Sequence, residues 1–426
     1  MKPDLLHALP EQIYIEDYVT ATYYLELSPT ENPYEKARNM AIGQTVGTWL
    51  PVPGITEEMK RLHMGKIISI MDLDPADLSA SCAGSAGDYP RPYLFRIAYP
   101  AANFENRLPL MLTTLLGNDA STSVRAKLLE LFIPPTLASL YPGPGFGIEG
   151  LRQLTGVERR PLLLNMIKPC IGFTPEEGAR IFYQTALGGV DFIKDDELLG
   201  NPSFCPLEKR VRAYIQASDA AYEKTGKRTY YVPNITDHIG NLVDNAKRAE
   251  QAGAKLIMIN FASVGWGALQ MVREAVSLPI LGHYAGAGPY YEGDRSGISS
   301  DLALGKLPRM AGADIVMINT PYGGYPVKKS RYLRTAEFLR LPFYDMKSVL
   351  PSLGGGVNPG MVHQLMSDLG NDIMLSPGGA IQGHPMGATA GIRAMYAAID
   401  AEMNGISLAE AVQNCEELKA AEYMWS

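Results

Sequence analysis

The chain has 426 residues, of which 46% are hydrophobic and 19% charged, a composition that excludes extended disorder and is typical of a folded globular protein. Its formal net charge of −7 excludes the broad basic surface of a protein whose main partner is nucleic acid. The start resembles no secretory signal and no long apolar run follows, so we expect a cytoplasmic protein without membrane or nucleic-acid partners. The four cysteines are widely scattered, which favours free thiols.

Residues 1–140 are predicted to form a small α+β domain of the ferredoxin-like kind. Two of its segments predict antiparallel strands and two predict helices. These are residues 18–27 and 93–100 for the strands, and residues 32–46 and 108–117 for the helices. Residues 141–150 are rich in proline and glycine and predict the connection to a second domain, which covers residues 141–426.

From about residue 160 onward, short apolar runs alternate with amphipathic segments. Residues 174–187 and 241–253, for example, have helical spacing, an acidic first turn and a glycine near the end. Eight strand-plus-helix units with strands apolar on both faces favour a closed (β/α)8 TIM barrel over a doubly wound open sheet. The eight runs are residues 161–170, 190–197, 228–236, 254–261, 279–285, 313–320, 348–356 and 372–380.

Polar groups follow most of these predicted strands at the point where each strand ends. In TIM barrels the reactive groups come from the carboxyl ends of the strands, so we expect these groups to meet at one rim. They are Lys168, Lys194, Asp195, Asp196, Glu197, Asn234, His283 and Asn319, with glycine clusters after the seventh and eighth strands. The sequence therefore predicts an active site at this end of the barrel.

The segment "GGVDFIKDDE" (residues 188–197) crowds one lysine against three carboxylates. Lys194 and Asp196 fall on the same face of a strand, and Glu197 follows where the strand ends. The group is either a buried ion pair or a site for a hard cation such as Mg²⁺, which prefers carboxylate oxygens. An unmodified lysine opposes a metal, whereas a lysine that has added CO2 is an anionic carbamate with an oxygen to offer. Burial favours the neutral amine that this addition requires.

Three further features have both a functional and a structural interpretation. The glycine pairs Gly355–Gly356 and Gly378–Gly379 either bind phosphate through backbone N–H groups or allow tight turns. Lys168 either stabilises a developing oxyanion or forms a salt bridge at the rim. His283 is a base, a substrate contact or a packed polar group.

Residues 319–326 predict a mobile or substrate-covering loop after the sixth strand.

The lysine–acid segment resembles the signature of the large subunit of ribulose-1,5-bisphosphate carboxylase/oxygenase (RuBisCO), and the resemblance covers nearly the whole chain. Further matching segments occur in the family's order: "GTW" (47–49), "TTLLGN" (113–118), "GPGFGIEG" (143–150), "IKP" (167–169), "GH" (282–283), "LGGG" (353–356) and "GGAIQGHPMG" (378–387). The start and the end are similar to the branch of RuBisCO-like (form IV) proteins that contains 2,3-diketo-5-methylthiopentyl-1-phosphate enolase.

The resemblance implies a set of site residues. The metal ligands of Mg²⁺ would be Lys194 as its carbamate, Asp196 and Glu197, with Lys168 and His283 as catalytic or substrate contacts. The four glycines would hold phosphate. Residues of the small domain would reach the active site of a neighbouring subunit, so that a homodimer is the smallest functional unit; they are Thr48, Trp49 and Asn118.

The departures from the carboxylases are equally informative. Cys170 stands where they carry a second lysine, Gly324 aligns with the lysine of their mobile loop although Lys328 and Lys329 lie nearby, and Gly43 aligns with a glutamate of the small domain. Loss of these groups argues against carbon fixation, because each preorganised contact to a charged transition state is worth about 3 kcal/mol. The enolases place a lysine base at the position of Asn118.

We therefore expect a Mg²⁺-dependent enzyme that enolises or isomerises a small phosphorylated, sugar-like ketone. The proton would be taken by the Lys194 carbamate or by His283, and Lys168 would help to polarise the oxygen. One alternative is a decarboxylase of a phosphorylated 3-oxo sugar acid, which needs no strong base. Another is a binding or stress-response module without catalytic activity.

Overall fold

The computed structural model describes residues 5–47, 52–73 and 90–425, which form two compact units. The first unit contains the chain up to Tyr141 together with Ala287–Ala303, and the second contains Pro142–Gly286 and the chain from Leu304 onward. The described strands, numbered in chain order, are β1 (Tyr18–Leu27), β2 (Lys66–Asp72), β3 (Arg91–Pro100), β4 (Lys127–Phe132), β5 (Leu162–Met166), β6 (Phe192–Lys194), β7 (Tyr230–Val232), β8 (Ile257–Asn260), β9 (Ile280–His283), β10 (Gly297–Ile298), β11 (Ile315–Asn319), β12 (Leu350–Gly354) and β13 (Met374–Leu375).

The sheet of the first unit has the strand order β10-β4-β1-β3-β2. β1 runs antiparallel to both β3 and β4, which confirms the two predicted strands of this region. Along β1, Tyr23 and Leu25 are fully buried while Thr22, Tyr24 and Glu26 are partly exposed, the period of two that lets one face of a sheet carry a core. β2, β4 and β10 were not predicted, and β10 joins this sheet from the second half of the chain by pairing with β4.

The second unit is the predicted barrel. Its eight strands are all parallel in the order β7-β6-β5-β13-β12-β11-β9-β8, and a bridge joins Asn234, just after β7, to Met258 of β8. Each of the eight apolar runs contains one of these strands. Apolar side chains from all eight of them fill the interior, as strands buried on both faces require. The fully buried ones include Leu162, Leu164, Phe192, Val232, Met258, Leu281, Ile315, Leu350 and Met374.

Helices alternate with the barrel strands, and the helix Pro175–Ala186 after β5 begins at a capping residue that the sequence provides. Thr174 accepts a hydrogen bond from the backbone N–H of Glu177 (3.3 Å), and Glu177 accepts one from the N–H of Thr174 (2.8 Å), a capping box. The α-helices of the first unit are Pro10–Ile15, Pro33–Gly43, Glu57–His63, Leu108–Leu116, Pro135–Ala138 and Gly288–Tyr291. Those of the second are Gly147–Thr155, Pro175–Ala186, Leu207–Thr225, Leu242–Gln251, Phe261–Val264, Trp266–Ala275, Leu307–Met310, Lys329–Arg340, Val362–Leu369, Gly379–Gln382, Ala388–Met403, Leu408–Asn414 and Glu416–Ala420. Among the described residues, none of these helices has the length and apolar character needed to cross a membrane.

Candidate active site at the carboxyl end of the barrel

Lys194 ends strand β6 inside the barrel. Its side chain has no exposed surface, and it lies in register between Met166 of β5 and Val232 of β7. Its Nζ donates a hydrogen bond to the carbonyl of Asp195 (2.9 Å) and lies 3.7 Å from a carboxylate oxygen of Glu197. Burial is the main cause that lowers the pKa of Lys194, and the positive charge of Lys168 lowers it further. The nearby carboxylates act in the opposite direction but do not cancel this effect. The amine therefore reaches its neutral form more easily than a lysine in water.

The next residue, Asp195, has a different role. Its buried carboxylate accepts hydrogen bonds from the Tyr231 hydroxyl (2.7 Å) and the Asn234 backbone N–H (2.9 Å), and its oxygen lies 3.1 Å from the Arg210 guanidinium. Arg210 is also fully buried and comes from the helix Leu207–Thr225. This ion pair fastens the helix to strands β6 and β7. Both Asp195 oxygens are engaged by these partners, so Asp196 and Glu197 are the acids of the motif that remain for the site.

Asp196 faces Lys168, which follows strand β5. The Lys168 Nζ lies 2.7 Å from an oxygen of Asp196 and donates a second hydrogen bond to the Cys170 sulfur (3.0 Å). Burial alone would lower the pKa of Lys168, but its hydrogen bonds to Asp196 and Cys170 raise it above the ordinary value. Burial tends to raise the pKa of Asp196, but the hydrogen bonds from Lys168, Cys170 and the Leu198 backbone N–H, with the charge of Lys168, together outweigh it and lower the pKa. The pair is therefore ionised, and Lys168 shields one oxygen of the acid.

His283 ends strand β9 and is buried, with 4% of its surface exposed. Its Nδ1 accepts a hydrogen bond from the Ala285 backbone N–H (3.1 Å), so the neutral ring carries its hydrogen on Nε2, which lies 3.4 Å from an oxygen of Glu197. Burial, with the charges of Lys194 and Lys168, holds the pKa of His283 well below its usual value. As arranged here, His283 offers a hydrogen-bond donor to the site.

The two glycine pairs lie after β12 and β13. Gly355 and Gly356 have φ angles of +85° and +101°, which side chains rarely adopt. At Gly378 a Cβ atom would approach Met166 Cγ to 2.9 Å and Lys168 Cε to 3.7 Å, so this backbone lies beside Lys168 and a side chain here would require Met166 to move. The second glycine pair is therefore part of the same rim as Lys168.

The loop after β11 lies on the first glycine pair. The Gly324 N–H donates a hydrogen bond to the Gly355 carbonyl (2.7 Å), and the Tyr284 hydroxyl after β9 donates one to the Asn319 side chain. Lys329, one of the two lysines near the aligned loop position, lies 2.8 Å from Asp368 in an ion pair, whereas Lys328 is exposed. The sequence predicted a covering loop but not the residues that hold it.

The candidates of the first unit are seen only in part. Thr48 and Trp49 lie outside the described residues, and Asn118 is exposed. Gly43 stands beside Asp119, because a Cβ atom at this glycine would collide with the Asp119 carboxylate. A side chain at position 43 would therefore require Asp119 to move.

The metal-ligand prediction depends on the lysine. Across the described part of the chain, no three histidine, cysteine, aspartate or glutamate side chains converge in a way that could hold a metal ion. The rim provides two carboxylates, Asp196 and Glu197, next to Lys194. A third anionic oxygen ligand from this group requires the carbamate.

Sequence reasoning missed several residues that shape this site. Arg210 and Tyr231 form hydrogen bonds with Asp195. Tyr284 and Asp368 form hydrogen bonds with Asn319 and Tyr322, at the start of the loop after β11. Their partners come from other strands and helices, and no local spacing in the sequence marks them.

Comparison with known proteins identifies the family. The catalytic-domain model of the ribulose bisphosphate carboxylase large chain matches residues 147–425. A ribulose bisphosphate carboxylase-like protein of Archaeoglobus fulgidus is 41% identical over 400 residues, 93% of this chain and 90% of that protein. The 2,3-diketo-5-methylthiopentyl-1-phosphate enolase of Geobacillus kaustophilus is 36% identical over 409 residues, 96% of this chain and 98% of that enzyme.

Solved structures agree with this grouping. The crystal structure of a RuBisCO-like protein (MtnW) from Alicyclobacillus acidocaldarius superposes with a TM-score of 0.87 at 34% identity, covering 96% of this chain and all of that one (100%). A structure described as a dimeric archaeal RuBisCO from Hyperthermus butylicus gives a TM-score of 0.86 at 30% identity, with 100% and 97% coverage. The chain thus belongs to the RuBisCO large-chain family, and within it to the RuBisCO-like enzymes.

Proposed function

We propose that this protein catalyses the Mg²⁺-dependent enolisation or isomerisation of a small phosphorylated ketone, without fixing CO2. The observation that carries the proposal is the buried Lys194, whose pKa is lowered mainly by burial and whose amine lies beside Glu197 and one residue from Asp196. A lysine in this state can add CO2, with release of one proton, and become an anionic ligand.

The residues fit a hard divalent cation. The Lys194 carbamate, Asp196 and Glu197 would supply oxygen ligands, which Mg²⁺ prefers, and the partly exposed Glu197 faces the open end of the site. When bound, the metal would stabilise negative charge on the substrate's carbonyl oxygen. Lys168 would exchange its contact with Asp196 for one with the substrate and donate a hydrogen bond to that oxygen.

The choice of base follows from the hydrogen bonds of His283. Its Nδ1 is engaged by the Ala285 N–H, and the hydrogen on Nε2 faces Glu197, so the ring is arranged to donate. We therefore assign proton abstraction to the Lys194 carbamate and assign to His283 the role of orienting Glu197 or the substrate. With the carbamate as base, the expected mechanism does not need a lysine at position 118, where this chain has Asn118.

Phosphate would bind at the backbone N–H groups around Gly355, Gly356, Gly378 and Gly379. The neighbouring strand ends β9 and β11 carry the neutral pair Tyr284 and Asn319, joined by a hydrogen bond. A neutral pair favours a substrate with one phosphate, in line with the 1-phosphate named for the enolase relatives.

The proposed functional unit is a cytoplasmic homodimer. Thr48, Trp49 and Asn118, in the domain proposed for residues 1–140, would complete the site of the partner's barrel, residues 141–426. The dimeric archaeal relative supports this assembly. Analytical ultracentrifugation of the purified protein tests it, and a monomer at assay concentrations would contradict it.

The main experiment incubates the protein with Mg²⁺, bicarbonate and candidate phosphorylated ketones in D2O. Deuterium uptake at the carbon beside the carbonyl supports enolisation, whereas release of CO2 from a 3-oxo acid supports the decarboxylase instead. Lys194→Met should abolish uptake, while Lys209→Met, which changes an exposed lysine, should not. Full activity in Lys194→Met would overturn the carbamate mechanism.

Formation of the carbamate on Lys194 can be measured separately from activity. With ¹³C-labelled bicarbonate and Mg²⁺, the wild-type protein should show a carbamate carbon signal that Lys194→Met lacks. If no signal forms and the protein binds no Mg²⁺, the binding-module alternative gains support.

A further inference from the structure

The loop between β11 and the helix Lys329–Arg340 is fastened at two points to one acid, Asp368, on the helix Val362–Leu369. The Tyr322 hydroxyl, within the loop, donates a hydrogen bond to one oxygen of Asp368 (2.7 Å). The Lys329 Nζ, at the end of the loop, lies 2.8 Å from the other oxygen, to which Gln364 also donates a hydrogen bond (2.9 Å).

The Asp368 carboxylate is well suited to hold this loop. Only 5% of its side chain is exposed. Burial tends to raise the pKa of Asp368, but the hydrogen bonds from Lys329, Tyr322 and Gln364 outweigh it and keep the pKa below its ordinary value. The acid is therefore ionised at neutral pH, and hydrogen bonds to a charged acceptor are the stronger kind.

On its other side the loop contacts the first glycine pair directly. The Gly324 N–H donates to the Gly355 carbonyl (2.7 Å), and Gly323 lies so close to that carbonyl that a Cβ atom would collide with it. The peptide bond between Gly355 and Gly356 is trans, so its C=O and N–H point in opposite directions. The loop holds the carbonyl and thereby aims the Gly356 N–H away from itself.

From these contacts we propose that Asp368 is a positioning residue: it holds the loop through Tyr322 and Lys329, and the loop orients the Gly356 N–H toward the phosphate of the substrate. The inference rests on the proposed function, because it takes the glycine pair as a phosphate site. It also gives Lys329 a role in holding the loop rather than in contacting the substrate.

The test uses two variants and two readouts, with inorganic phosphate as the probe. Tyr322→Phe removes one hydrogen bond and Asp368→Ala removes all three, while Lys328→Met, an exposed neighbour of Lys329, is the matched control. Hydrogen exchange of residues 320–328 without ligand reports loop opening. We expect about tenfold faster exchange in Tyr322→Phe, more in Asp368→Ala, and no change in Lys328→Met.

Calorimetric titration measures the phosphate affinity, which depends on the orientation of the Gly356 N–H. Because apparent affinity falls with the fraction of molecules in the competent conformation, Asp368→Ala should raise the phosphate Kd by about threefold or more, with Tyr322→Phe showing a smaller rise. An unchanged thermal midpoint would show that the loss is local. Should Asp368→Ala not fold, Tyr322→Phe, which keeps the charge pair, carries the test.

The outcomes separate the two proposals. Wild-type protein that binds no phosphate would contradict the phosphate site of the proposed function, and the positioning role with it. Wild-type binding with equal Kd in all variants would overturn the positioning role alone. Unchanged loop exchange in Asp368→Ala would show that the acid does not hold the loop.

Discussion

Two lysine–aspartate pairs of similar length lie in different regions of the barrel unit and differ in what surrounds them. Lys168 and Asp196 are 2.7 Å apart at the mouth of the barrel, and Lys329 and Asp368 are 2.8 Å apart behind the loop after β11. Asp196 lies among further charged groups, Lys194 and Glu197, whereas Asp368 is satisfied by the neutral donors Tyr322 and Gln364.

This difference indicates which pair can change partners. At the barrel mouth, a cation that takes the place of Lys168 still finds two acids and a lysine able to become an anion. Behind the loop, a cation that took the place of Lys329 would meet an acid whose oxygens already accept hydrogen bonds from the neutral side chains of Tyr322 and Gln364. Similar ion-pair distances therefore accompany different proposed roles, and the neighbouring groups distinguish the two pairs.

The largest expected effect is on catalysis at the first pair. Asp196→Asn should slow deuterium uptake by about a thousandfold, because it removes one charged ligand of the metal. Its thermal midpoint should change little, since Lys168 is about a third exposed and retains Cys170 as a partner. Unchanged uptake would show that Asp196 is a structural acid and not a metal ligand.

A third acid of the barrel unit, Asp195, extends the comparison to the stability of the fold. Arg210→Met should lower the free energy of unfolding by about 3–5 kcal/mol, because it leaves the buried Asp195 carboxylate without its cation. Urea denaturation measures this loss. Arg212→Met, on the exposed face of the same helix, should cost less than about 1 kcal/mol. Equal losses in both variants would contradict the structural role of Asp195.

The second pair should respond to pH. The folded pKa of Asp368 lies below its ordinary value, so its contribution is present above the unfolded pKa, about 3.9, and is lost as pH falls through the folded value. Hydrogen exchange of residues 320–328, corrected for intrinsic rates, should stay constant from neutral pH down to about 4 and rise only below that. A rise near pH 6 would indicate that a different group holds the loop.

The smallest expected effect belongs to the lysine of the second pair. Because Lys329 is half exposed, its ion pair with Asp368 is screened by water, and Lys329→Met should speed exchange of the loop by only about two- to threefold. Tyr322→Phe should exceed it in the same measurement. The reverse order would mean that the charge, and not the phenol, holds the loop.

Much of the barrel and its rim could be predicted from local pattern. Each of the eight apolar runs became a strand, and Lys168, Lys194, Asp196 and His283 do lie near the carboxyl ends of those strands. In the first unit, two strands and two helices were found, while β2, β4 and β10 were not. The two residues of β10 pair with β4 and carry no pattern of their own.

The site could be predicted in its composition but not in its pairings. The motif offers Asp195, Asp196 and Glu197 as nearly equal candidates, and only Arg210, Tyr231 and Asn234 show that Asp195 is already engaged. The state of His283 was also undetermined, since it depends on the Ala285 N–H and on burial.

The sequence by itself determined the eight-unit barrel, the lysine–acid motif and the glycine pairs, because periodicity, spacing and backbone freedom are properties of neighbouring residues. The tertiary structure decided which acid pairs with which cation, which nitrogen of His283 keeps its hydrogen, and which acid contacts the loop after β11. Those choices depend on distances between residues far apart in the chain, and on the burial that makes an unpaired charge costly, and both exist only once the chain has folded.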